Sequence, residues 1–386
     1  MPERLDMDAQ ALDAILGSTP GERAESWHFS RNAVRALAQQ NFVSVDPSLT
    51  PSADVVRALD LPLTRGRRIV FVNGVYSALH SDDAQLGKTP GLRVRHDSAN
   101  RIELIVSAPV TQPLHLVYLS IPGEVPGFWA ARCVIRLQDG AQLDLVEQHL
   151  GTTGAEIFGR VDCDFAIAAQ ARMRVSCLSD LADNVSLLRA LHCNVGAQAA
   201  FETTQAHCGG RLQRIESTIG LAAQQACLRE RGVFALRGRQ HVDIHLDVRH
   251  RARDTSSDVD WRGVADQRAR GILHGAIVVA QGADGTDAKL QNKNLLLSAH
   301  AEIDAQPILE IYADEVKAAH GATVGQLDER ALFYLRSRGI GMMPARAMLI
   351  DAFCREIYAH VADEGLRGLF AALLSRHLLL STQVAS

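Results

Sequence analysis

The stretch His241-Val242-Asp243-Ile244-His245-Leu246-Asp247-Val248-Arg249-His250 alternates strictly between polar and apolar residues. Successive side chains of an extended chain point to opposite faces. Val242, Ile244, Leu246 and Val248 therefore share one face, and His241, Asp243, His245, Asp247 and Arg249 the other. This predicts a strand with one packed side and one side turned to solvent or a partner. Short apolar or alternating runs of the same kind stand on both sides of it: Arg68 to Val72, Leu114 to Leu119, Cys133 to Leu137, Gln142 to Glu147, Arg172 to Leu178, Arg211 to Ile219 and Gly271 to Val279. Over about 250 residues no convincing helix interrupts them, which excludes a βαβ fold and leaves a sandwich, a large barrel or a stacked solenoid. Lone Gly, Asp or Asn residues separate the runs, without a hairpin Asn-Gly at each turn, and this suits a parallel β-helix better than a meander.

The ends read differently. Residues 1 to about 66 carry helical spacing, with Leu5, Leu12, Ile15 and Leu16 on one stripe and Trp27, Val34 and Leu37 on a second run from Pro20. Pro47, Pro51 and Pro62 break the connection that follows. After residue 327 helices return, opened by Asp328 as N-cap. Pro344 begins a helix with Ile350, Phe353, Ile357 and Val361 on one face. Another starts near Glu364 with Leu366, Leu369, Phe370, Leu373 and Leu374 on a broad stripe that could pack on its neighbour or dock a partner. The resulting division is an N-terminal helical region (1–66), a β core (67–326) and a C-terminal helical domain (327–386).

The 386 residues carry a net charge of −4 with no basic tract, which argues against nucleic-acid binding. Met1-Pro2-Glu3-Arg4-Leu5-Asp6 does not resemble a secretion signal, and no apolar run approaches membrane-spanning length, so the expected location is cytoplasmic. Seven cysteines contain no C-x-x-C pair, and five recur at intervals of 14 to 19 residues, as small buried residues repeated along a coil would.

Several segments carry candidate chemistry. Gly87-Lys88-Thr89 invites comparison with a phosphate loop, but Asp82 stands where the leading glycine belongs, so no ATP hydrolysis is expected. The His and Asp residues on one face of His241–His250 could hold a divalent metal, although a solvated or interface face is the simpler reading. In Leu309-Glu310-Ile311-Tyr312-Ala313-Asp314-Glu315-Val316-Lys317-Ala318-Ala319-His320-Gly321 an alternating strand is expected to run into His320, with Gly321 permitting a turn or a close approach of a partner. Glu302, Asp304, Glu310 and Asp314 read as surface charges, with Glu302 and Glu310 as candidate oxygen ligands near His320. A lone histidine is more often a satisfied structural group than a ligand.

That last stretch, its continuation His320-Gly321-Ala322-Thr323 and Ala331-Leu332-Phe333-Tyr334-Leu335-Arg336-Ser337-Arg338-Gly339-Ile340 resemble the SufD branch of the SufB/SufD family of iron–sulfur cluster assembly scaffold proteins. So do Asn294-Leu295-Leu296-Leu297-Ser298 and the segment around His245 and His250. The resemblance is dense from about residue 245 to 358 and weak at the N-terminus. It implies a mainly β protein: a right-handed parallel β-helix core flanked by helical regions. It also implies a non-catalytic scaffold that pairs with SufB through the β-helix end and docks the SufC ATPase through the C-terminal helices. His320 would then be an iron ligand for a nascent cluster shared with SufB, with no cofactor bound permanently. Many family members have Cys two residues before this histidine; here Ala318 and Ala319 precede it, so the imidazole would act alone from this side. Gly321, where the SufB branch typically has Glu, favours SufD. Alternatives are a SufB-like subunit that accepts sulfur, a homodimeric scaffold and a carbohydrate-active β-helix enzyme. No Cys lies between Cys227 and Cys354 to serve the first, and the acidic groove cluster of the last is missing.

Overall fold

The computed structural model describes residues 66–380 without a break, with side chains to Leu378; before them it describes Ser30, Leu37, Gln40, residues 42–46 and 48–58, Leu61 and Thr64. The helical stripes expected through Leu5, Leu12, Ile15, Leu16, Trp27 and Val34 lie outside the described residues.

Strands follow one another along the chain. The first are β1 (Val43–Ser44), β2 (Arg68–Val72), β3 (Val75–Tyr76), β4 (Leu92–Ser98), β5 (Arg101–Val106), β6 (Leu114–Ser120) and β7 (Gly127–Leu137). Next come β8 (Gln142–Gly151), β9 (Ile157–Ile167), β10 (Arg172–Leu181), β11 (Val185–Val195), β12 (Ala200–Gly209), β13 (Leu212–Leu221) and β14 (Cys227–Leu236). The series closes with β15 (His241–His250), β16 (Ser256–Ala265), β17 (Arg270–Val279), β18 (Asp287–Leu296), β19 (Glu302–Ile311) and β20 (Lys317–Gly325). From β7 onward they alternate between two sheets. Odd strands run β5-β7-β9 to β19 in one, and even strands β6-β8-β10 to β20 in the other. All pairings in these runs are parallel. Ala200 pairs with Cys227, Cys227 with Ser256 and Ser256 with Asp287, so each coil advances by about 30 residues. The fold is a parallel β-solenoid of two facing sheets, and the chain is mainly β, as the alternation predicts.

The coils stay in register through their turns as well as their strands. Gln170, Gln198, Gln225 and Asp254 adopt left-handed φ of 58°, 56°, 59° and 56°, in line with Gly140 and Gly285 at 69° and 77°. The N–H of each donates to a carbonyl one coil further on: Gln170 to Ala197, Gln198 to Gln224, Gln225 to Arg253 and Asp254 to Asp284. Gln170 also donates its side-chain amide to Gln198, and Gln198 to Gln225, both at 3.1 Å. These bonds offset the ~1 kcal/mol strain of a left-handed non-glycine residue. Glycine is therefore not required at each turn, and counting glycines underestimates the repeat.

Between the sheets lies one continuous core that includes Cys133, Cys163, Cys177 and Cys193. Cys208 and Cys354 are buried on the outer side of the even sheet, and Cys227 is half-buried. Burial raises the thiol pKa of all six buried cysteines, so they are packing groups rather than nucleophiles. The helices among the described residues are α1 (Ala53–Ala58), α2 (Asp83–Leu86), α3 (Glu329–Ser337), α4 (Met342–Tyr358) and α5 (Glu364–Leu380). The Asp328 side chain accepts from the Arg330 N–H at 2.8 Å, the expected N-cap of α3. Helix α4 begins at Met342, two residues before Pro344.

The broad apolar stripe of the last two helices faces inward. Ile350, Ile357, Leu366, Phe370, Leu373 and Leu374 pack on Val146, Leu178, Ala206, Val233 and Val264 of the even sheet. Arg262 donates to the Phe353 carbonyl at 2.7 Å, and Asp180 bonds His377 at 2.8 Å. Of the two readings of this stripe, packing within the chain is the one observed. Exposed apolar residues lie on α3 and the start of α4 instead: Phe333, Tyr334, Met342, Met343 and Met348.

Candidate functional site at the open end of the solenoid

Every interior strand has a neighbour on both sides, but β19 and β20 are the last in their sheets. Each leaves one row of backbone groups without a strand partner, a template for pairing with another chain. The rim is apolar and exposed at Ile311, Tyr312 and Val324.

His320 sits in the middle of β20, where the sequence led us to expect the end of a strand. Ile311 closes β19, a turn intervenes, and a new strand carries Lys317–Gly325. Gly321 is an ordinary strand position without positive φ, and a Cβ there would meet nothing within 4 Å. His320 pairs in register with Leu290, which is buried in the core. In-register residues of adjacent strands lie on the same face of a sheet. His320 therefore continues an interior row, yet is exposed because no coil follows. As a ligand it presents one imidazole to whatever covers the end. Ala318 and Ala319, which precede it, carry no ligand atom in their side chains.

Glu302 and Glu310 do not join it. Arg270 engages Glu302 at 3.4 Å and Asp304 at 2.9 Å, while Glu310 accepts from the Tyr312 hydroxyl at 3.3 Å. His250 is buried and hydrogen-bonds Thr255 at 2.8 Å and Ser257 at 2.9 Å.

The alternation of β15 holds, but its polar face is not simply solvated. Asp243 is buried; it accepts from Arg214 at 2.5 Å, pairs with His245 at 3.0 Å and bonds Ser30. Burial alone would raise its pKa, but the His245 bond and the Arg214 charge outweigh this and hold it low. Ser30 belongs to an N-terminal segment whose Leu37 and Phe42 cover Phe158 and Leu188 on the odd sheet. Gly87-Lys88-Thr89 follows the single turn α2 instead of preceding a helix, which is the wrong end for phosphate.

A polar group inside the solenoid escaped the sequence reading. Both Glu147 oxygens accept from Arg189, at 2.7 and 2.6 Å, and one also bonds His149 at 2.8 Å. The Cys177 thiol lies in the same cluster. Desolvation would raise the Glu147 pKa, but Arg189 overrides it and keeps the carboxylate ionised. Glu147 and Arg189 already balance each other's charge and burial keeps the Cys177 thiol protonated, so a divalent cation would add uncompensated charge. Nearby Glu230 accepts from Trp261 at 2.9 Å, and burial pushes its pKa up to about 7. The signal was present in Leu143, Leu145, Glu147 and His149, which share one parity.

Residues 121–353 match the family described as SUF system FeS cluster assembly, SufBD core domain. The chain belongs to the SufBD family. It is 28% identical to the iron–sulfur cluster assembly protein SufD of Escherichia coli, over 93% of this chain and 89% of that one. It is 26% identical to an iron–sulfur cluster assembly SufBD family protein of Synechocystis, over 93% and 88% of the two chains. A SufBD family protein of Mycobacterium tuberculosis is 28% identical over 79% of this chain and 80% of its own. The matched SufBD core takes in the solenoid from the end of β6 through β20, with α3 and most of α4. Among the described residues, no helix is long and apolar enough to cross a membrane.

Proposed function

We propose that this SufBD protein is the SufD-like subunit of a SufB–SufC–SufD complex, a scaffold without catalysis of its own. SufB adds to the open end formed by β19 and β20. His320 supplies one ligand to an iron–sulfur cluster assembled there as cargo. The SufC ATPase docks on the exposed Phe333, Tyr334, Met342, Met343 and Met348 surface of α3 and α4. The observation that carries this reading is the coincidence, at one open end, of unpaired backbone, an apolar rim and an imidazole continuing an interior row. Neutral imidazole is a competent iron ligand, with precedent in Rieske-type centres.

Co-expression with SufB and SufC followed by anaerobic reconstitution tests it. His320→Ala should leave recovery of the complex unchanged, because one exposed side chain adds little stability. Visible absorbance from cluster formation should fall at least about tenfold, because losing a metal ligand, or even a group that orients one, commonly costs that much in metal affinity. Wild-type cluster formation by His320→Ala would refute the assignment.

A further inference from the structure

The coil just inside the open end contains two buried carboxamides, Asn292 and Asn294, on the inward face of β18. In the row of Asn294, Gly263 and Phe234 stand one and two strands further in, and Val324 of β20 one strand out. Asn292 donates to the Trp261 carbonyl on β16 at 3.3 Å. Asn294 donates to Asn292 Oδ1 at 2.5 Å and to the Thr323 carbonyl on β20 at 3.2 Å. The pair thus ties three successive coils together and ends on the backbone of the terminal strand. Room for it is built in: a Cβ on Gly263 would collide with Asn294 Oδ1 and the Phe234 ring.

Apolar residues would fill this space without the desolvation that two buried amides incur. What the amides add is direction. A buried carboxamide is satisfied in few geometries, so it fixes one strand position where an apolar side chain would allow several. Strand β20 needs such fixing, because it has a strand neighbour on one side only and edge elements open most readily.

We propose that Asn292 and Asn294 are positioning residues. They brace β20 so that its free edge and His320 are pre-ordered for the partner chain, which lowers the ordering cost of association. This rests on the reading that the partner adds at β20. Gly263 belongs to the same device, since any side chain there displaces the Asn294 amide.

The test is amide hydrogen exchange on the full-length wild type, Asn294→Leu and Asn292→Leu, together with capture of the cognate SufB. In the isolated asparagine variants, exchange across Lys317–Gly325 should rise by at least about tenfold while β9 to β15 stay as in the wild type. SufB capture should slow or weaken in the same variants. Unchanged exchange in β20 overturns the brace, as does faster exchange with undiminished capture. Failure of the wild type to capture SufB would instead overturn the reading of the edge, and the exchange result would still decide whether the brace exists. Should Asn294→Leu fail to fold, Asn294→Ala, which removes the bonds without adding bulk, gives the same exchange readout.

Discussion

At the scale of single residues, the interior network is where this fold is most sensitive. Arg189 is 2% exposed and forms a buried ion pair with Glu147. Arg189→Ala should cost about 3–5 kcal/mol, because a buried carboxylate is left unpaired. The double change Glu147→Leu with Arg189→Met should lose far less, since it removes both charges and refills the volume. Urea denaturation of the three proteins measures the difference. Glu230 gives a pH signature. Its folded pKa, about 7, lies above the ordinary carboxyl value of 4.5, so folding favours the protonated form. The associated stability is complete below pH 4.5 and is lost as pH rises through 7. Wild type minus Glu230→Gln should therefore shift against the wild type by on the order of 3 kcal/mol between pH 4 and pH 8. A flat difference across that range would show that Glu230 is not buried as an acid.

At the scale of elements, the C-terminal helices divide into an inner and an outer face. The stripe through Ile357, Leu366 and Leu373 is fixed on the solenoid. Truncation after Gly339 should then uncover Val146, Ala206, Val233 and Val264 and give aggregation-prone protein, not a clean loss of SufC binding. The separable surface is the other one. Phe333 and Tyr334 are 73% and 56% exposed, so Phe333→Asp with Tyr334→Asp should leave the thermal unfolding midpoint unchanged. In a pull-down the same double variant should lose SufC, and full retention would place the docking surface elsewhere. The reason the helical stripe left both readings open is general. Periodicity tells which face of a helix is apolar, but not whether its partner lies in the same chain.

At the scale of the whole molecule, a solenoid is nearly one-dimensional, and each coil is held by its neighbours. Stability should fall toward the open end, so amide exchange should be fastest in β20 and the adjoining edge of β19 and slowest from β9 to β15. Addition of SufB should slow exchange in Glu302–Ile311 and Lys317–Gly325 by at least about tenfold and leave the central coils unaltered. Protection appearing instead over β4 and β5 would put the partner at the opposite end. The strict alternation of His241–His250 and its sister runs was enough to define the strands and their inward faces, because side-chain direction in an extended chain is fixed by parity alone. The family resemblance around His320 was likewise legible, since it rests on consecutive residues. Parity could not reveal that Glu147 meets Arg189, 42 positions away, that Ser30 covers Asp243, or that His320 lies mid-strand on the last coil. Those contacts depend on which coil stacks on which and on where stacking stops, and only the assembled solenoid sets that order.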